Sequence, residues 1–277
     1  MYREKIDLYE WFQAERGKKT RGFLHVYRHV GSKEIAWKKR SAILIFPGGG
    51  YSFVSEREWE PVAMYYYGKG LDAYVLEYNV APECGYPTLL TEAAMAMLYL
   101  RKEAERLHSD GKIAALGFSS GGHLCGCISL LWDDLVLSAR FGTDCAQIRP
   151  DAAILAYAVV SSEQSCRDEE TFVNFCGGKA PYERYSLERV VRPDAPPMFL
   201  WATADDAEVP IENSIRLFRA LCAAGVPAEY HAFETGRHGL SVCSEEVLSA
   251  CNAQTEHVRH WLRLSLEFLR GHAFYTA

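Results

Sequence analysis

The sequence has no excess of basic charge. Its 30 lysines and arginines are outnumbered by 36 aspartates and glutamates, for a formal net charge of −6. A protein that grips nucleic acid needs a basic face to neutralise phosphates, so no nucleic-acid partner is expected. It also lacks any apolar run near the roughly 20 residues of a membrane span, so no membrane partner is expected either. The N-terminal stretch MYREKIDLYEWFQAERGKKT carries charge where a signal peptide has its apolar core. On these grounds the expected location is cytoplasmic. The nine cysteines, spread from Cys84 to Cys251, include no CxxC pair. Clustered zinc ligands are therefore missing, and reduced structural thiols are expected in preference to a bridge such as Cys166–Cys176. His257 and His260, three residues apart, have no companion motif beyond Glu256 and read as surface or packing histidines. There is no internal repeat, no low-complexity linker, and no P-loop or dinucleotide fingerprint.

What the chain does have is 49% hydrophobic residues over 277 positions, enough for one large core or a core with a small cap. Short apolar runs at 42–46 (AILIF), 73–77, 113–118, 152–158 (AAILAYA) and 198–202 (MFLWA) read as strands buried on both faces. Segments of helical period lie between them, near 59–69, 90–108, 120–131, 211–224 and 252–270. A further strand is expected at 227–234, and an early antiparallel one at 23–28. This alternation implies a doubly wound, mostly parallel sheet with helices on both faces, in a single domain spanning 1–277. Residues 160–196 break the pattern: they are polar, with aromatic residues interspersed, between two strands. A connection that long is expected to be functional, here a small cap or lid over the carboxyl ends of the strands. The alternative is a surface crossover with no role in binding.

Residues 116–124 read LGFSSGGHL, between an expected strand and an expected helix. In that setting a G-x-S-x-G turn forces its serine into a strained conformation and requires small neighbours. The frame Gly117-Phe118-Ser119-Ser120-Gly121 centres on Ser119, leaving Ser120 to offer a backbone N–H. A serine hydroxyl needs a base, and the base needs an orienting acid. In this architecture the acid and then the histidine follow later strands. The strand at 198–202 runs into TADDAEVP and the strand at 227–234 runs into TGRHGL. The base is therefore His238 and the acid Asp205 or Asp206. Asp206 is preferred because D-x-x-V-P, with Val209 and Pro210, suits an acid loop turning into a helix; Glu208 is a further alternative. These acids would otherwise cap the helix at 211–224.

Phe46-Pro47-Gly48-Gly49-Gly50-Tyr51 follows the strand AILIF directly. Glycines there let backbone amides approach a reacting oxygen, so Gly49, Gly50 and Ser120 are the expected oxyanion-hole donors. Tyr51, Phe53 and Phe118 are candidates for an apolar or sugar-stacking wall, with plain core as the alternative. His123, just after the turn, reads as a packing residue.

Five stretches, PGGGY (47–51), LEYNVAP (76–82), GFSSGGHL (117–124), PPMFLWATADDAEVPIENS (196–214) and GVPAEYHAFETGRHGL (225–240), together resemble the α/β-hydrolase superfamily. Within it, the chain is similar to the esterase/lipase group that includes hormone-sensitive lipase and acetylxylan-esterase-like bacterial carbohydrate esterases. The resemblance covers about residues 40–270. It implies an α/β-hydrolase fold, a Ser119–Asp206–His238 triad, no metal and no cofactor. It also implies hydrolysis of short acyl esters, acetyl above all, on a sugar or other alcohol. Two departures stand out: Pro47 where many relatives have histidine, and Ala202 where W-H-T would place one, which would alter the pocket wall. The partner implied is a small-molecule or oligosaccharide ester; self-association is left open. The competing readings are a serine peptidase of the same class and a non-catalytic binder, though no triad member is missing.

Overall fold

The computed structural model describes residues 1–179 and 181–275. Eight strands form one sheet: β1 (Tyr2–Asp7), β2 (Phe23–Arg28), β3 (Arg40–Phe46), β4 (Asp72–Glu77), β5 (Ser109–Phe118), β6 (Ala152–Ala156), β7 (Met198–Thr203) and β8 (Ala228–Phe233). Their order is β1-β2-β4-β3-β5-β6-β7-β8. From β4 to β8 every pairing is parallel, whereas β2 runs antiparallel to both β1 and β4. The continuous apolar runs explain why: each inner strand buries side chains on both faces, which only a doubly covered sheet permits.

The helices are α1 (Leu8–Trp11), α2 (Glu60–Gly68), α3 (Thr88–Lys102), α4 (Ser119–Leu130), α5 (Leu135–Phe141), α6 (Glu169–Cys176), α7 (Glu212–Ala223), α8 (Glu245–Leu248), α9 (Ala253–Val258) and α10 (Trp261–Gly271). They cover the sheet from two sides. Leu44 and Phe46 of β3 join a core with α3, α4 and α7, while Ile43 and Ile45 join the opposite core with α2 and α10. That alternation is the period-2 signature of a strand between two layers.

The structure departs from the sequence reading at several elements: α1, α5 and α8 were not expected, and three further differences have a plain physical form. β1 was not expected, because YREKID is charged and exposed at the sheet's edge, where burial leaves no apolar pattern. The single helix expected at 252–270 is two, α9 and α10, separated at Arg259 and His260; α9 opens with a reciprocal Asn252–Thr255 capping box. The helix expected to reach 108 ends at Lys102, and residues beyond it turn back into β5. All nine cysteines are free thiols, Cys166 and Cys176 among them. Among the described residues no helix is long and apolar enough to cross a membrane.

Candidate active site

β5 passes directly into α4, so the chain turns from extended to helical at Ser119. Ser119 has φ +53°, a left-handed conformation that costs a non-glycine residue strain. Two glycines make so tight a turn possible. A Cβ on Gly117 would lie 2.2 Å from the carbonyl oxygen of Gly121, and one on Gly121 would lie 2.1 Å from that of Phe46. Neither backbone has room to give, so α4 packs against β3 and β5 at a distance only glycine allows.

The carboxyl ends of β5, β7 and β8 bring together three groups far apart in the chain. His238 Nε2 lies 2.8 Å from Ser119 Oγ, and His238 Nδ1 lies 2.7 Å from Asp206 Oδ2. A carboxylate only accepts, so Nδ1 carries the proton and Nε2 is left to accept from the serine hydroxyl. Asp206 is itself fixed: its Oδ1 accepts the backbone N–H groups of Glu208 (2.9 Å) and Val209 (3.0 Å). Asp205 faces elsewhere and accepts the N–H of Gly236 at 2.7 Å, tying the two loops together. None of the three acids caps α7, whose N-cap is Ile211.

The His238 side chain is 10% exposed and that of Asp206 is 1% exposed. Burial alone would lower the histidine pKa. The hydrogen bond and charge of Asp206, followed by the charges of Glu58 and Glu208, outweigh it and raise the pKa above the ordinary histidine value. This arrangement can take a proton from Ser119 at neutral pH and hold it beside a fixed negative charge.

Gly49 (φ +121°) and Gly50 (φ +59°) bend the loop after β3 around the serine turn. The peptide N–H groups of Gly49, Gly50 and Ser120 make no hydrogen bond among the described residues, while the Gly48 N–H is taken by Glu58 Oε2 at 2.7 Å. Gly49, Gly50, Ser119 and His238 share a cavity of about 140 Å³ with Phe53, Arg57, Glu58, Asp168, Glu170 and Glu208. Helix α6, inside the 160–196 segment, clasps the glycine loop from above. Asn174 Nδ2 donates to the Gly50 carbonyl at 2.8 Å, and the Ser52 hydroxyl donates to Glu170.

Three expectations about the pocket wall need correction. Tyr51 is fully buried; its hydroxyl meets His123 Nδ1 at 3.0 Å and its ring packs on Tyr78 and Phe175. Phe118 is also fully buried, in the opposite core against Tyr157 and Trp261, because its side chain follows the strand's alternation away from the cavity. Of the aromatic candidates only Phe53 lines the cavity, at 56% exposure. Ala202 is buried in β7 and does not line it either. The sequence reading missed Glu58, Tyr157 and Tyr78. Tyr78 donates to the Pro47 carbonyl at 2.5 Å and supports the glycine loop from below. The Y within LEYNVAP was the only sequence signal for it.

A family model described as BD-FAE matches residues 33–221. The chain is 33% identical over 219 residues to endo-1,4-beta-xylanase B of Butyrivibrio fibrisolvens; this covers 76% of the chain and 34% of that protein, so the chain spans about a third of that relative's length. It is also similar to the solved structure of an acetyl ester-xyloside bifunctional hydrolase from Caldicellulosiruptor lactoaceticus. The TM-score is 0.77 at 32% identity, over 90% of this chain and 87% of the other. A second structure, MGS-M1, an alpha/beta hydrolase enzyme from a Medee basin deep-sea metagenome library, gives a TM-score of 0.77 at 31% identity over 98% of both chains. The chain belongs to the BD-FAE family, within the α/β-hydrolase superfamily that its motifs resemble.

Proposed function

We propose that the protein is a carboxylic ester hydrolase that transfers a short acyl group, acetyl foremost, to Ser119 and then to water. The observation that carries this reading is the relay from Asp206 through His238 to the Ser119 hydroxyl, at 2.7 and 2.8 Å. As Ser119 Oγ attacks the ester carbonyl, His238 Nε2 takes its proton. The oxyanion then accepts from the free N–H groups of Gly49, Gly50 and Ser120. Collapse breaks the acyl–oxygen bond, and the departing alkoxide receives the proton from His238. Water, deprotonated by the same nitrogen, attacks the acyl-enzyme; collapse breaks the acyl–Ser119 bond, His238 returns the proton to Ser119 Oγ, and the acid leaves. Each oxyanion donor is worth on the order of 3 kcal/mol of transition-state stabilisation.

The cavity's size and lining speak for the substrate. About 140 Å³ is room for a small acyl group. The carboxylates of Asp168, Glu170 and Glu208, with Arg57, line the cavity. They can hydrogen-bond the hydroxyls of a neutral polyol, and they repel anionic esters. A sugar or oligosaccharide acetate suits this lining, and acetyl esters appear in the name of the Caldicellulosiruptor neighbour, an acetyl ester-xyloside bifunctional hydrolase. In this reading the 160–196 segment forms the roof of the substrate site. The test is turnover of p-nitrophenyl acetate against longer acyl esters, and of acetylated xylo-oligosaccharides against simple alkyl acetates. Acetyl should exceed octanoyl, and Ser119→Ala should lose at least about 10⁴-fold in kcat/KM while staying folded. Undiminished turnover in Ser119→Ala would end the proposal.

A further inference from the structure

Glu58 is a carboxylate where the fold has little use for one. It is 3% exposed, yet it lines the same cavity as Ser119 and His238. Both oxygens are occupied by uncharged donors: Oε2 takes the Gly48 N–H at 2.7 Å and Oε1 the Tyr157 hydroxyl at 2.7 Å. Tyr157 continues the network. Its oxygen accepts the Ser241 N–H at 3.0 Å, and its ring stands edge-on to the His238 imidazole with centroids 4.9 Å apart. Tyr157 sits at φ +36° just past β6, a strained position held by a 2.7 Å bond from its N–H to the Trp201 carbonyl. Glu58 thus joins three loops beneath the serine–histidine pair: the glycine loop, the end of β6, and the segment after His238. A buried charge is costly unless it is compensated, and a neutral amide of the same shape would satisfy Gly48 equally well. Burial raises the Glu58 pKa; the hydrogen bonds from Tyr157 and Gly48 and the charges of His238 and Arg57 oppose that rise. The charge is held by this network and calls for a role.

We propose that Glu58 is a positioning residue with two effects: it fixes the glycine loop through Gly48, and it places a second negative charge beside His238. The inference rests on the reading of Ser119 and His238 given above. The charged and titratable groups around the imidazole are Asp206 and Glu208 from the loop after β7, Glu58 and Arg57 from the turn before α2, Tyr157, and Asp168 and Glu170 of the 160–196 segment, which line the same cavity. Arg57 lies against Gly239 and partly offsets the acids. Asp206 holds the ring and its tautomer. Glu58 adds to the field that favours the imidazolium formed during acyl transfer, as a fixed dipole or charge does in a water-excluded site.

Glu58→Gln separates charge from shape. Its amide oxygen can keep the Gly48 bond while its NH₂ donates to Tyr157. The expected result is a fall in kcat of about 10-fold with KM within about twofold, because a transition-state interaction is lost. The acidic limb of the pH–rate profile should move to lower pH, and the His238 titration followed by NMR should move down by the same amount. A purely structural Glu58 would leave both titrations in place. Glu58→Asp gives the complementary result, because it keeps the charge and shortens the reach to Gly48. His238 should then titrate as in the wild type while kcat falls. The NMR titration needs no turnover, so it decides on Glu58 even if the esters tested prove not to be substrates. Wild-type kcat and an unmoved His238 titration in Glu58→Gln, or a titration that drops in Glu58→Asp, would overturn the inference.

Discussion

Two histidines sit beside the Ser119 turn, in pockets of opposite character. His123 lies one turn further along α4 and is fully buried. Its Nε2 donates to the Tyr185 carbonyl at 2.8 Å and its Nδ1 accepts from the Tyr51 hydroxyl at 3.0 Å, while Phe172 and Phe175 present ring edges to it. With only uncharged groups in contact, burial drives its pKa down to about 4. His238 is also largely buried, but its Nδ1–H meets Asp206, and its pKa moves the other way. Loss of water makes a histidine a neutral strut. Loss of water together with an oriented carboxylate makes it a base. His123 ties the 160–196 segment and the glycine loop to α4, whereas in the proposed reaction His238 moves the proton.

Removing the distinction at His238 gives the largest effect. Asp206→Asn leaves the ring a partner but no charge and no assured tautomer. Its kcat should fall about 10³- to 10⁴-fold, with the acidic limb of the pH–rate profile shifted down, as steady-state kinetics across pH would show. In the wild type that limb should lie above the ordinary histidine value, since His238 must be neutral to accept the serine proton.

The pocket around His123 predicts stability instead of rate. An unfolded chain protonates this histidine near 6.5, and the folded chain only near 4. Its folded pKa is depressed, so the fold keeps its full stability above 6.5 and loses it as pH falls towards 4, by about 3 kcal/mol in all. Thermal melts of wild type and His123→Gln over that range should show the mutant's loss to be much shallower. At pH 7 its kcat/KM should stay within about threefold of wild type, because no charge at the reacting atoms is altered.

The smallest effect belongs to the clasp between the two regions. Asn174→Ala removes the 2.8 Å donor to the Gly50 carbonyl. It should cost about 1 kcal/mol of stability in denaturant unfolding and lower kcat a few-fold by loosening one oxyanion donor.

The same contrast explains what the sequence disclosed. The meeting of Ser119, Asp206 and His238 was legible because the first two follow strands whose apolar runs are plain, the third follows the alternating stretch at 227–234, and Gly117 and Gly121 mark a turn that admits no side chain. The core strands were legible for the same reason. β1 was hidden, since an exposed edge strand has no buried pattern to display. Tyr51 and Phe118 were misplaced as pocket wall because adjacency in the chain does not fix direction: one side chain turns into the α3–α4 core and the other crosses to the opposite face. Glu58 was invisible within SEREWEP, where an acid ahead of a helix is ordinary first-turn composition. Its significance comes from Tyr157, 99 residues away, and only the folded chain brings the two together.

The most direct test is to quench the enzyme in acid during turnover of an acetyl ester and map the acetyl group by peptide mass spectrometry. One acetyl on Ser119, absent from His238→Ala, is the outcome that acyl transfer through this relay requires. Acetyl on Ser120 or another side chain, or steady turnover with Ser119 never modified, would contradict it.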